Sequence, residues 1–152
     1  MRRTATILAV VALMVTFSSG VALAAYEDSI TGTGHTDILS GTRQAEQISG
    51  LGGGDQINGG GGGDLIEGGP GSDELSDGLG RDTVYGGGGA DNMIGYGDTS
   101  VDYFYAGGGD DTVQSRDVPA VKDMVSCGPG TDTVYADKDD VVGGDCEQVE
   151  AW

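Results

Sequence analysis

An acidic side chain at every ninth position constrains this chain more than any other feature. Asp37, Glu46, Asp55, Asp64, Asp73, Asp82 and Asp91 keep the period; it slips to reach Asp102, resumes at Asp111, slips again to Asp123 and resumes at Asp132. Two residues after each acid stands an apolar side chain: Leu39, Ile48, Ile57, Ile66, Leu75, Val84, Met93, Phe104, Val113, Val125 and Val134. Glycines hold the same phase, so the unit reads G-G-x-G-x-D-x-U-x, with U apolar. The triplet x-U-x suits a short strand with U turned inward, because side chains alternate faces along a strand. Self-similarity at such a short fixed period is the mark of a solenoid. Two units then make one coil of turn, strand, turn and strand, and loops two units apart stack at about 4.8 Å, the spacing of hydrogen-bonded strands.

Composition says what such a stack needs. Glycine supplies 31 of 152 residues, and 25 acidic against 7 basic side chains leave a formal charge of −18. Glycine adds nothing to a core and loses the most backbone entropy on folding. One apolar side chain per repeat buries too little surface to offset the ordering of the whole repeat. A chain of this kind is disordered unless a cation holds it. Nucleic acid is excluded as a partner, since phosphate is repelled by the same charge.

The unit resembles the nonapeptide calcium-binding repeat of RTX proteins, the haemolysin-type repeat, over roughly residues 32 to 135. The resemblance implies an all-β, right-handed parallel β-roll with two repeats per coil and several Ca2+ ions between stacked loops. The ligand set carried over residue by residue is Asp37; Gly50, Gly52, Gly53 and Asp55; Gly59, Gly61, Gly62 and Asp64; Gly68, Gly69, Gly71 and Asp73; Gly78, Gly80 and Asp82; Gly86, Gly87, Gly88, Gly89 and Asp91; Gly107, Gly109 and Asp111; and Gly128, Gly130 and Asp132. Coordination chemistry agrees. Calcium takes about six to eight oxygen ligands; one carboxylate per repeat falls short, but a turn without Cβ atoms can curl its carbonyls onto the ion. Stacked carboxylates repel without it, so metal binding is expected to be coupled to folding.

Alternation divides the acids between two edges. One carries Asp37, Asp55, Asp73, Asp91, Asp111 and Asp132; the other carries Glu46, Asp64, Asp82, Asp102 and Asp123. Both insertions, Gly95 to Asp102 and Ser115 to Asp123, fall on the second edge. A nearly continuous calcium column is therefore expected on the first edge, with Asp37 the weakest member. On the second only the Asp64/Asp82 pair looks complete, Glu46 sits in a poor loop, and Asp102 and Asp123 are read as serving local turns. Tyr85 and Tyr105 should face outward on adjacent coils with Tyr103 nearby, as an aromatic ladder rather than a sugar-stacking patch.

Outside the repeats, residues 1–24 read as a secretory signal peptide: Arg2 and Arg3, an apolar run from Ile7 to Phe17, and cleavage after Ala24 in Ala22-Leu23-Ala24. Ser18, Ser19 and Gly20 interrupt the run and disfavour an uncleaved membrane anchor. Residues 25–135 form the calcium-binding roll and 136–152 a C-terminal cap, with Val149 and Trp152 covering the open end. Cys127 and Cys146, the only cysteines of an exported chain, are expected to form a disulfide. Asp137, Asp139, Asp140 and Asp145 crowd the tail as a solvated acidic cap or one further calcium site. A single histidine, His35, argues against catalysis, and two cysteines with one histidine cannot make a zinc site. The expected role is a secreted, extracellular, non-enzymatic calcium-binding structural or interaction module. The alternative is an adhesin or a carbohydrate- or surface-binding protein, with a polysaccharide or cell surface as partner.

Overall fold

The structure, a computed structural model, describes residues 28–95 and 97–151. The expected signal peptide and Trp152 lie outside the described residues. The chain between them is a parallel β-solenoid made of two seven-stranded sheets. The first sheet is built from β1 (Asp28–Thr31), β3 (Glu46–Ser49), β5 (Leu65–Pro70), β7 (Thr83–Gly88), β9 (Tyr103–Gly108), β11 (Met124–Ser126) and β13 (Val141–Val142), in that order. The second holds β2 (Ile38–Ser40), β4 (Gln56–Asn58), β6 (Glu74–Ser76), β8 (Asn92–Ile94), β10 (Thr112–Gln114), β12 (Thr133–Ala136) and β14 (Gln148–Ala151). Successive strands alternate between the sheets, so the chain winds once per pair of repeats.

Parallel sheets ordinarily have both faces covered and read as continuous apolar runs. Here the strands are short and each sheet covers only one face of the other, which is why the pattern alternates. In register along the first sheet run Ile30, Ile48, Ile66, Val84, Phe104, Val125 and Val142. Along the second run Leu39, Ile57, Leu75, Met93, Val113, Val134 and Val149. These two files, apart from the exposed Val149 on the last strand, form the core. Every one of the apolar positions read from the period is buried, Leu39 at the first coil being the least so at 6% exposure. Ile30 and Val142 pack partly buried against the ends.

The outer faces differ. The second sheet presents polar side chains in register, Gln56 beside Glu74 and then Asn92 and Thr112. The first sheet carries Tyr85 and Tyr105 on adjacent strands. Their rings stack at 4.8 Å between centroids with 11° between planes, as an exposed cross-strand ladder. The two long loops join β8 to β9 and β10 to β11, both on the second edge as expected. Cys127 and Cys146 are bonded, 5.2 Å between Cα atoms, tying the end of β11 to the approach to β14. Closing a loop of this length is worth about 3 kcal/mol. No helix among the described residues is long and apolar enough to cross a membrane.

Candidate functional site

The loops between strands owe their shape to glycine. At the second and fourth places of the unit the backbone enters the left-handed region, as at Gly60 and Gly62 (φ 94° and 127°) and at Gly78 and Gly80 (φ 100° and 125°). The fourth-place amides bond to the next coil: Gly53 N–H donates to the Pro70 carbonyl at 3.0 Å, Gly62 to Leu79 at 2.7 Å and Gly89 to Gly108 at 2.7 Å. Loops therefore stack as tightly as strands do. Leu51 occupies a second place without being glycine and is held at φ 74°.

On this backbone the period-nine acids form two columns. Each carboxylate accepts the backbone N–H of the acid one coil earlier. On the first edge Asp55 Oδ1 takes the Asp37 N–H at 2.8 Å, Asp73 that of Asp55 at 2.8 Å, Asp91 that of Asp73 at 2.9 Å, Asp111 that of Asp91 at 2.8 Å and Asp132 that of Asp111 at 2.8 Å. On the second edge Asp64 takes the Glu46 N–H at 2.8 Å, Asp82 that of Asp64 at 2.6 Å, Asp102 that of Asp82 at 2.7 Å and Asp123 that of Asp102 at 2.9 Å.

One oxygen of each carboxylate is thus used within the fold. In seven of them the other is not. Oδ2 of Asp55, Asp64, Asp73, Asp82, Asp91, Asp111 and Asp132 is buried without a hydrogen-bond partner, and each of these residues is at most 3% exposed. A buried carboxylate oxygen with no donor is costly, and buried charges are stable only when paired or bound to metal. Burial, with the neighbouring carboxylates adding to it, pushes the carboxyls of Asp82 and Asp91 up to about 7 and that of Asp64 to about 6. For Asp102 and Asp123 burial is again the main cause, raising them to about 7 and about 6. A dry column of oxygen donors with a standing charge conflict is what a hard divalent cation relieves. Calcium's preference for oxygen and its tolerant geometry fit stacked loops that add backbone carbonyls.

The sign of these shifts gives a prediction for the metal-free chain. A carboxyl raised above its unfolded value near 3.9 holds its proton in the fold where the unfolded chain has lost it. That contribution to stability is complete below the unfolded value and is lost as pH rises through the folded one. In chelator the strand signal is therefore expected to be larger at pH 5 than at pH 8, falling between about 6 and 7, where Asp64, Asp82, Asp91 and Asp102 ionise. Far-UV circular dichroism against pH checks this, and a signal that grows toward pH 8 would contradict it.

The structure revises three expectations. Asp102 and Asp123 do not serve local turns. Both are buried members of the second column, because β9 and β11 pair in register with their neighbours whatever the length of the preceding loop. The second edge is accordingly as continuous in carboxylates as the first. Glu46, despite its poor loop, is fully buried at the head of its column. The tail extends both columns, since Asp140 Oδ1 accepts the Asp123 N–H at 2.9 Å and Glu147 Oε2 the Asp132 N–H at 3.0 Å. The signal for both was present: Val142 and Val149 stand two residues after them. The first members turn back on their own loops, where Thr33 donates its N–H and hydroxyl to Asp37 at 2.6 and 2.8 Å and Thr42 does the same for Glu46.

A two-sheet parallel roll with a column of buried carboxylates along each edge defines a calcium-binding β-roll. The RTX calcium-binding nonapeptide repeat family matches this chain in four copies, at residues 31–66, 40–75, 67–101 and 96–113, together more than half of its length. The chain belongs to that family. RTX repeats bind Ca2+ at multiple sites, and the stacked, buried aspartate loops fit several ions. No curated protein and no solved structure gives a significant match.

Proposed function

We propose that this chain is an extracellular calcium-binding module that folds when calcium enters the two carboxylate columns and then acts as a rigid structural or interaction element. The observation that carries the reading is the row of buried, partnerless Oδ2 atoms from Asp55 to Asp132. The ligand set is the one named from the repeat, glycine carbonyls included, enlarged by Asp102 and Asp123. Export is supported by the signal-peptide pattern of residues 1–24 and by the disulfide, which belongs to oxidising compartments. With one histidine in the chain, the inventory favours a binding rather than a catalytic role. An adhesin or carbohydrate-binding role draws no support from Tyr85 and Tyr105, because each ring covers a face of the other.

The test is a titration of residues 25–152 with Ca2+, followed by calorimetry and circular dichroism, with Mg2+ as control. A cooperative rise of strand signal with calcium and not with magnesium, which demands octahedral geometry and sheds water reluctantly, is expected. Strand content that is equally high in chelator at pH 8 would refute the coupling of folding to metal.

A further inference from the structure

The loop Asp77-Gly78-Leu79-Gly80-Arg81-Asp82 breaks the repeat in a way that the columns do not explain. Its first place, glycine in the neighbouring loops at Gly59, Gly68 and Gly86, is an aspartate. In those neighbours a Cβ at this place would fall 2.8, 2.5 and 2.6 Å from Oδ2 of the loop's own aspartate. A side chain there is directed at the oxygen that a column calcium would bind. Asp77 has such a side chain and is fully buried. Carboxylate oxygens of Asp77, Asp82 and Asp102 lie within 4.8 Å of one another, and all three residues are buried.

A cluster of acids alone is no site, but a separate observation points to a ligand. Asp82 is completely buried, its Oδ1 is taken by the Asp64 N–H at 2.6 Å, and its Oδ2 has no partner. The insertion before β9 adds to the charge. It brings Asp98 over the loop, where Oδ2 accepts the Gly80 N–H at 2.6 Å and the carboxylate repels both Asp82 and Asp102. An ordinary position between stacked repeats has one carboxylate from each of two loops; this one has a third buried carboxylate and a fourth close by.

We propose that Asp77 joins the column pair Asp82 and Asp102 to make a three-carboxylate calcium site on the second edge, the tightest in the molecule and the first to fill. The proposal rests on the calcium-binding reading above and adds a rank order to it. Affinity in oxygen sites rises with the number of charged ligands, and a third carboxylate in a dry pocket acts at low effective dielectric. Filling this site first would fix the register of β7 against β9, the pair that the insertion separates by two residues more than the repeat.

The experiment is a calcium titration against a competing chelator that resolves the successive binding steps, on the full chain and on two variants. Asp77→Gly restores the residue that the repeat uses at this place, and Asp77→Asn keeps the shape and the hydrogen bond that Asp77 Oδ1 accepts from Gly78 N–H at 2.6 Å. Both variants are expected to weaken the tightest step ten-fold or more and to reach the same strand signal at saturating calcium. An unchanged tightest step in either variant overturns the proposal; one retained by Asp77→Asn alone shows that the hydrogen bond and not the charge matters. Failure of the calcium-binding reading looks different, because the unaltered chain would then take up no calcium at all.

Discussion

A chain carrying Asp55→Asn, Asp73→Asn and Asp91→Asn together is expected to remain a coil at millimolar calcium, where the unaltered chain gives a strand spectrum. The substitution is informative because asparagine keeps the accepting oxygen. The 2.8–2.9 Å bonds from the Asp37, Asp55 and Asp73 amides can still form. What disappears is the charge and the partnerless second oxygen, the part of each residue that the fold itself does not use. These three residues are consecutive in one column, so every position between Asp37 and Asp111 loses at least one charged ligand. Each site occupied at about 100 times its dissociation constant contributes about 2.7 kcal/mol to the folded state. Losing two or more removes a sum comparable to the whole stability of a small domain, about 5–15 kcal/mol. Circular dichroism during a calcium titration decides the matter. A triple variant that folds at the same calcium midpoint would show that the first column is not a metal column.

The second large effect concerns a single methyl group. Gly71→Ala is expected to destabilise the calcium-loaded roll by at least about 3 kcal/mol. Gly71 has φ 147°, and a Cβ built on it would lie 1.4 Å from the carbonyl oxygen of Gly53 in the preceding coil. Both atoms belong to backbone, so no flexible side-chain end can move aside; the two coils must separate, and the amide of Gly53 must then leave the Pro70 carbonyl it bonds at 3.0 Å. Gly108→Ala is the matched control. Nothing lies within 4 Å of its Cβ direction and its φ is not left-handed, so a change within about 0.5 kcal/mol is expected. The converse substitution, Leu51→Gly, relieves a non-glycine residue held at φ 74° and should add about 1 kcal/mol. Urea unfolding at fixed saturating calcium measures all three. Equal losses for Gly71→Ala and Gly108→Ala would mean that stacking does not set the glycine pattern.

Much of this was open to reading before any coordinates. The apolar residue two places after each acid is a local rule, set by the alternation of a strand, and it located every core side chain from Leu39 to Val134 except Ala106 and Cys127. Alternation of repeats likewise assigned each acid to its edge and put both insertions on the second one. The same rule carried further would have found Asp140 before Val142 and Glu147 before Val149, which close the columns. Asp77, five residues before Asp82 in a glycine's place, was also visible as a break in the pattern.

What the linear pattern does not contain is how strictly one coil follows another across an irregular loop. A slip in the period after Met93 looks like the end of a column when only spacing is counted. In three dimensions β9 still pairs with β7, Val84 against Phe104 and Tyr85 against Tyr105, because the unpaired amides and carbonyls of a strand edge must be satisfied by the next strand wherever the loop takes it. Periodicity determined the strands, the core and the chemistry of the ligands, all of which depend on neighbours within one repeat. Only tertiary stacking decided that Asp102 and Asp123 rejoin the column and that Asp77, Asp82 and Asp102 meet, since hydrogen bonding between coils, and not distance along the chain, sets which carboxylates face one another.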